Sequence, residues 1–107
     1  MRNLVRSIVL SEPVLAEPLE DANAAYDKQD YTAALRLFRP LADQGYASAQ
    51  IMLGIMYSKG QGVPQDYVEA HKWFTLSAAR ASADEKDVRD LAVQERDILA
   101  NARRQLS

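Results

Sequence analysis

The sequence predicts an all-α chain of about five helices, arranged as two helical hairpins and a long C-terminal helix. Three observations carry this. Apolar residues recur at helical spacing in successive segments, separated by short breaks built from Gly, Pro and Asp. A shift of 36 residues superimposes Asp30 on Asp66, Tyr31 on Tyr67, Ala34 on Ala70, Phe38 on Phe74 and Ala42 on Ala78, so the second hairpin repeats the pattern of the first. Alanine is abundant, whereas glycine and proline number only 4 each, a composition that favours helices.

The first segment is ambiguous. In MRNLVRSIVLSEPVLAEP, Arg2 and Arg6 form a positive start and Val14, Leu15 and Ala16 a small-residue cleavage pattern. Ser11, Glu12 and Pro13 interrupt the apolar part, leaving Ile8, Val9 and Leu10, whereas a secretory signal carries about 7–15 apolar residues. Residues 1–17 therefore read either as a tail, with a cytoplasmic protein, or as a degenerate signal, with a periplasmic or secreted one. The helical domain is expected over 18–107.

Pro18 suits the first turn of a helix, and Leu19, Ala22, Ala25 and Tyr26 give it an apolar face. Gln29 and Asp30 form a turn. A second helix follows from Tyr31 to about Gln44, with Ala34, Leu35, Phe38, Leu41 and Ala42 on one side. Pro40 lies inside it and removes a backbone donor, and Gly45 is the expected C-cap. These elements make a hairpin over 18–45.

The second hairpin, over 47–82, places Ala49, Met52, Leu53, Met56 and Tyr57 on one helical face. Gly60, Gly62 and Pro64 stop that helix, and Asp66 is placed to cap the next. The latter repeats the apolar spacing at Tyr67, Ala70, Phe74, Ser77 and Ala78. Over 84–106, Val88, Leu91, Ala92, Leu99, Ala102 and Leu106 form one stripe on a charged helix. This helix is expected to cover the open end of the stack, because an uncapped end exposes apolar surface.

Composition narrows the function. With 107 residues the chain makes one small domain. Its net charge is −2, with Lys and Arg spread along the chain, so it shows no electrostatic footprint for nucleic acid. No run approaches the roughly 20 apolar residues of an integral membrane span. The absence of cysteine excludes disulfide and thiol chemistry.

No catalytic constellation is evident. His71 is the single histidine and lacks the partners that nucleophilic or acid–base chemistry needs. Asp84, Glu85 and Asp87 read as a solvated helix start rather than a metal site. The glycines of SKGQGVPQD lack P-loop spacing and its Lys-Ser/Thr. Arg103 and Arg104 suit a helix C-terminus. The chain is expected to be no enzyme and to hold no cofactor or metal.

Ala49, Leu53, Gly54, Tyr57, Gly60, Gly62, Val63, Asp66, Ala70, Trp73 and Ala78 stand in the order and spacing of the Sel-one-like repeat, a relative of the tetratricopeptide repeat, and the stretch resembles that family. The segment AAYDKQDYTAALRLF resembles a tetratricopeptide helix pair, with Gln29 where that family favours glycine. Ser77 replaces the first of two usual alanines, and Arg80-Ala81-Ser82 lacks the glycine that commonly ends the second helix.

The resemblance implies a short right-handed α-solenoid acting as a protein–protein interaction module, an adaptor or scaffold, often in bacterial envelope or signalling systems. It implies that Trp73 packs between hairpins and that first helices line a concave face. Asn23, Asp27, Ser48, Ile51, Ile55 and Ser58, with Leu19, would then line a groove for a protein or peptide, and Ile51 and Ile55 are expected to be partly accessible. In the opposite reading, the two isoleucines pack against the neighbouring hairpin. Two further readings stand: a small-ligand binder or enzyme subunit with a site near His71 and Trp73, and a self-assembling module that dimerises through the groove or cap.

Overall fold

A computed structural model describes residues 16–106 of the chain. The expected tail or signal over 1–17 falls almost wholly outside them. Five α-helices follow in order: α1 (Ala16–Asp27), α2 (Tyr31–Asp43), α3 (Ala47–Lys59), α4 (Tyr67–Arg80) and α5 (Lys86–Leu106). A 3-10 turn, Ala83–Glu85, leads into α5. No strand occurs among the described residues, and the protein is all-α. Each helix packs on the next, and α5 also reaches back to α3.

Two aspartates open equivalent helices. Asp30 Oδ1 accepts from the Ala33 N–H at 3.3 Å. Asp66 Oδ1 accepts from the Val68 and Glu69 N–H groups at 3.0 and 3.1 Å. A carboxylate here satisfies donors that have no partner in a helix's first turn and meets the positive end of its dipole. The repeated positions share their environment: Ala34, Ala70, Phe38 and Phe74 are fully buried, and Tyr31 and Tyr67 are half-buried. Each phenylalanine contributes about 1.5–3 kcal/mol by leaving water.

Ala42 is buried, but Ala78 is only half-buried. Ser77, one position earlier, takes the interior place and donates from Oγ to Ala47 O at 2.8 Å. Serine at this point thus ties α4 to the first turn of α3, which an alanine could not do.

The turn between α1 and α2 holds Gln29 at φ +64, a conformation that costs a side-chain-bearing residue free energy and glycine almost none. In the longer connection after α3, Gly62 lies against the backbone of Tyr31, and a Cβ there would come within 2.8 Å of Tyr31 O. The N–H of Asp66 donates to Tyr57 O at 2.9 Å, and Tyr26 donates from its hydroxyl to Gln61 Oε1 at 2.9 Å. This connection therefore ties the two hairpins together as well as reversing the chain.

Helix ends differ in detail from the sequence reading. α1 begins at Ala16, ahead of Pro18. α4 ends at Arg80 without a glycine, because Ala81 leaves in an extended conformation at φ −61, ψ 129. Ser82 then starts a capping box with Glu85, whose Oε1 accepts from the Ser82 N–H at 3.1 Å. Pro40 is accommodated within α2, whose end is completed by other groups. Gln50 Nε2, in a buried side chain, donates to Ala42 O at 3.0 Å.

Two apolar clusters fill the stack. One gathers Ala22, Phe38, Leu41, Ala49, Leu53, Met56 and Trp73 between the hairpins. The other gathers Ile51, Ala70, Phe74, Ala92 and Leu99 under α5. Met52 and Tyr57 pack against both. The apolar stripe read on α5 is narrower than expected: Ala92 and Leu99 are buried, while Leu91 is 42% exposed and Ile98, seven residues on, 53%. Residues seven apart share a helix face, so these two form a separate, open shoulder beside the buried band.

Candidate functional site

Ser48, Met52, Ile55 and Lys59 follow one another along α3 at spacings of four, three and four, which places them on one strip. The first three are half-buried and Lys59 is exposed. At the start of this strip, Leu19 of α1, Leu41 of α2, Tyr46 and Ser48 line a pocket of about 90 Å³.

The way α2 ends builds the pocket. Gly45 adopts φ +98, its N–H donates to Ala42 O at 3.0 Å, and the Tyr46 N–H donates to Leu41 O at 3.1 Å. This pair of bonds is the Schellman ending, in which the residue after the glycine folds back over the helix's last turn. Tyr46 and Leu41 are the two residues it brings together, and both line the pocket. Its volume is far below the roughly 300–1,000 Å³ of a small-molecule site and is of the order of one aliphatic side chain.

Leu19 and Ser48, expected in one groove, do line one pocket. Asn23 and Asp27 are exposed on α1, the former one turn beyond Leu19. Ile55 is half-buried beside the cluster under α5. Ser58 is half-buried and donates from Oγ to Ile55 O at 3.0 Å, a local bond within its own helix.

Ile51 differs from expectation. It is 5% exposed and packs with Phe74, Ala92 and Leu99, so its expected accessibility is corrected. The cause is rotation along the helix: residue 51 lies about 60° from Ser48 at 100° per residue, on the side that α5 covers. Val88 of α5 packs against the same cluster as Ile55. A shift of 36 residues carries Met52 onto Val88 and Ile55 onto Leu91.

Sequence reasoning missed Leu41, Tyr46 and Met52 as surface-forming residues. A signal for the first two was present. A glycine C-cap predicts contact between the residue after it and the one four earlier in the chain's last turn, here Tyr46 and Leu41. Met52 was assigned to the core stripe because its spacing fits both faces.

His71 is half-buried on α4, while Trp73 is 6% exposed in the inter-hairpin cluster, with the Lys72 ammonium 5.0 Å above its ring. Among the described residues, no group of three or more His, Cys, Asp or Glu is placed to hold a metal ion, and no helix is long and apolar enough to cross a membrane.

The fold defines a helical-repeat protein, with hairpins stacked in chain order. The Sel1 repeat profile matches residues 24–46 and 47–82, just over half of the 107-residue chain, and the chain belongs to the Sel1 repeat family. Repeats of this family are typically protein-interaction modules and generally non-catalytic. The chain is similar to "DAP3-binding cell death enhancer 1" of Rattus norvegicus and of Mus musculus, at 44% identity over 41 residues in each case. That match covers 38% of this chain but only 8% of either relative, so it concerns a short stretch of much longer proteins. Both are rodent proteins, and they give no support to the bacterial setting that the resemblance implied. No solved structure matches the chain.

Proposed function

We propose that the chain is a non-catalytic protein-interaction module that holds a segment of a partner protein on its inner face. The observation that carries this reading is the pocket shared by Leu19, Leu41, Tyr46 and Ser48 from consecutive elements, opening beside the half-buried apolar strip of Met52 and Ile55. A pocket of this size holds one side chain, and a row of apolar residues beside it provides the remaining contact of a helix or peptide. The family's typical role supports the reading, and the matched rodent proteins are themselves named for binding DAP3.

The test is site-specific photo-crosslinking in cells, with the reactive group at Asn23 or Asp27, exposed beside the pocket on α1, or at Val68, an exposed residue at the start of α4. The reading expects one protein captured from both α1 positions and not from Val68, with capture lost when Ser48→Leu fills the pocket. Equal capture from all three positions, or capture indifferent to Ser48→Leu, overturns it.

A further inference from the structure

We infer that the inner face takes a cationic, amphipathic segment of a partner, with its apolar side on Leu19, Ile55, Leu91 and Ile98 and its Lys or Arg side chains against the acids that flank them. The inference rests on the reading above and adds the chemistry of the occupant.

The cations of α5 are confined to one side. At 100° per residue, Asp87, Gln94, Glu95, Ala102 and Gln105 fall within about 60° of the exposed Leu91–Ile98 shoulder. No lysine or arginine falls there. Lys86, Arg89 and Arg96 fall on the opposite half of the helix. Away from the shoulder the helix mixes its signs, with Lys86 paired to Asp90 and Arg96 to Asp97, whereas the charges beside the shoulder are acids alone.

The other border of the face shows the same sign. α1 reads AEPLEDANAAYD, with no lysine or arginine in its 12 residues. Glu20 and Asp27 are exposed on it within about 100° of Leu19, which lies at the pocket. Two cations mark the ends of the region: Lys59 closes the α3 strip, and the Arg80 guanidinium lies against Gly45. Between them, both open apolar borders are acid-lined.

A shift of 36 residues carries Leu19 onto Ile55 and Ile55 onto Leu91, so the three hold equivalent places in the stack. Val88, on the Leu91 side of α5, and Ile55 of α3 pack against the same buried cluster. Apolar anchors between acidic borders select a partner with the reverse pattern, because opposite charges steer the encounter and like charges reject the wrong one.

The experiment uses the full chain and a fluorescein-labelled synthetic peptide of about five helical turns. Its leucines stand at i, i+3, i+4 and i+7, with lysine elsewhere. A glutamate-for-lysine version and a scrambled lysine–leucine version are the comparisons, and anisotropy at about 0.15 M salt is the readout. The expected result is saturable binding of the lysine peptide, at least about tenfold tighter than either comparison. Leu91→Ser with Ile98→Ser should weaken it about tenfold. Asp87→Asn with Glu95→Gln should weaken it and flatten its salt dependence. Arg89→Gln with Arg96→Gln should change it by less than about twofold. Circular dichroism establishes that each variant keeps its helix content.

Equal binding of the scrambled peptide, or equal losses from the Arg89 and Arg96 changes, overturns the inference. So does a partner found by crosslinking whose contact segment is acidic, which leaves the interaction reading itself intact. If Ile8→Ser with Leu10→Ser makes the peptide bind about tenfold tighter, the chain's own residues 1–15 fill the face and the external partner is rejected. A dimer in sedimentation that Leu91→Ser with Ile98→Ser converts to monomer rejects it in favour of a second copy.

Discussion

Gly54 of α3 lies directly beneath the ring of Phe74 of α4, and a Cβ on residue 54 would fall inside the contact distance of three ring carbons. Phe74 is fully buried, so its ring has no room to retreat. This contact sets how closely the two helices of the second hairpin approach. Gly54→Ala gains helix propensity, yet overpacking of this kind costs about 1–3 kcal/mol, and the variant should melt lower than wild type. Phe74→Ala should cost about 3–5 kcal/mol. In chemical denaturation, the double variant Gly54→Ala with Phe74→Leu should lose less than the sum of its parts, because the smaller side chain relieves the clash.

Gln29 gives the opposite prediction. Its φ of +64 carries strain of about 1–2 kcal/mol for a residue with a Cβ. Glycine removes that strain while adding unfolded-state entropy worth about 0.5–1 kcal/mol. Gln29→Gly should therefore stabilise the protein by up to about 1 kcal/mol, seen as a rise of a few degrees in Tm. Gln29→Val, with a β-branched side chain in the same turn, should destabilise it.

Ser77 holds Ala47 O at 2.8 Å in a buried position. Ser77→Ala removes this link between α4 and α3 while Ala47 O keeps the N–H partner of its own helix. The expected cost is about 0.5–1.5 kcal/mol, measured by thermal and denaturant unfolding.

Lys86 and Asp90 pair on the exposed side of α5 at 2.6 Å. The hydrogen bond from Lys86 lowers the Asp90 carboxyl below its ordinary 3.8, and the same bond raises Lys86 above 10.5. A lowered carboxylate stabilises the fold above its unfolded value and loses that contribution as pH falls through the folded one. The raised lysine contributes fully below its unfolded value and loses its contribution as pH rises through the folded one. Carboxyl-carbon NMR should place the Asp90 midpoint below 3.8, and Lys86→Gln should return it toward that value.

The elements were legible in the sequence because their signals are local. Asp30 and Asp66 as caps and Gly45 and Gly60 as stops each depend on residues a few positions apart, and the pairing of Phe38 with Phe74 follows from a repeat of 36 residues visible in the sequence itself. The surface was less legible because it depends on how helices are rotated against one another. Ile51 and Ile55 are one turn apart and chemically alike, yet α5 buries the first and leaves the second half-open. Nothing in their own segment distinguishes them. Leu91 was read into the α5 stripe for the same reason: periodicity shows that a helix has an apolar side, and packing decides how wide a band is covered.

Met52 and Tyr57 stand as a common wall, packed against the inter-hairpin cluster on one side and the cluster under α5 on the other. Stacks of hairpins can melt piecemeal, unit by unit, when their interfaces are weak. Here neither half can lose its interior without uncovering side chains that belong to the other. The protein should behave as one cooperative block, with calorimetric and van't Hoff enthalpies in agreement. Met52→Ala thins that wall and should split or broaden the heat-capacity peak, letting the α5 end loosen before the first hairpin does.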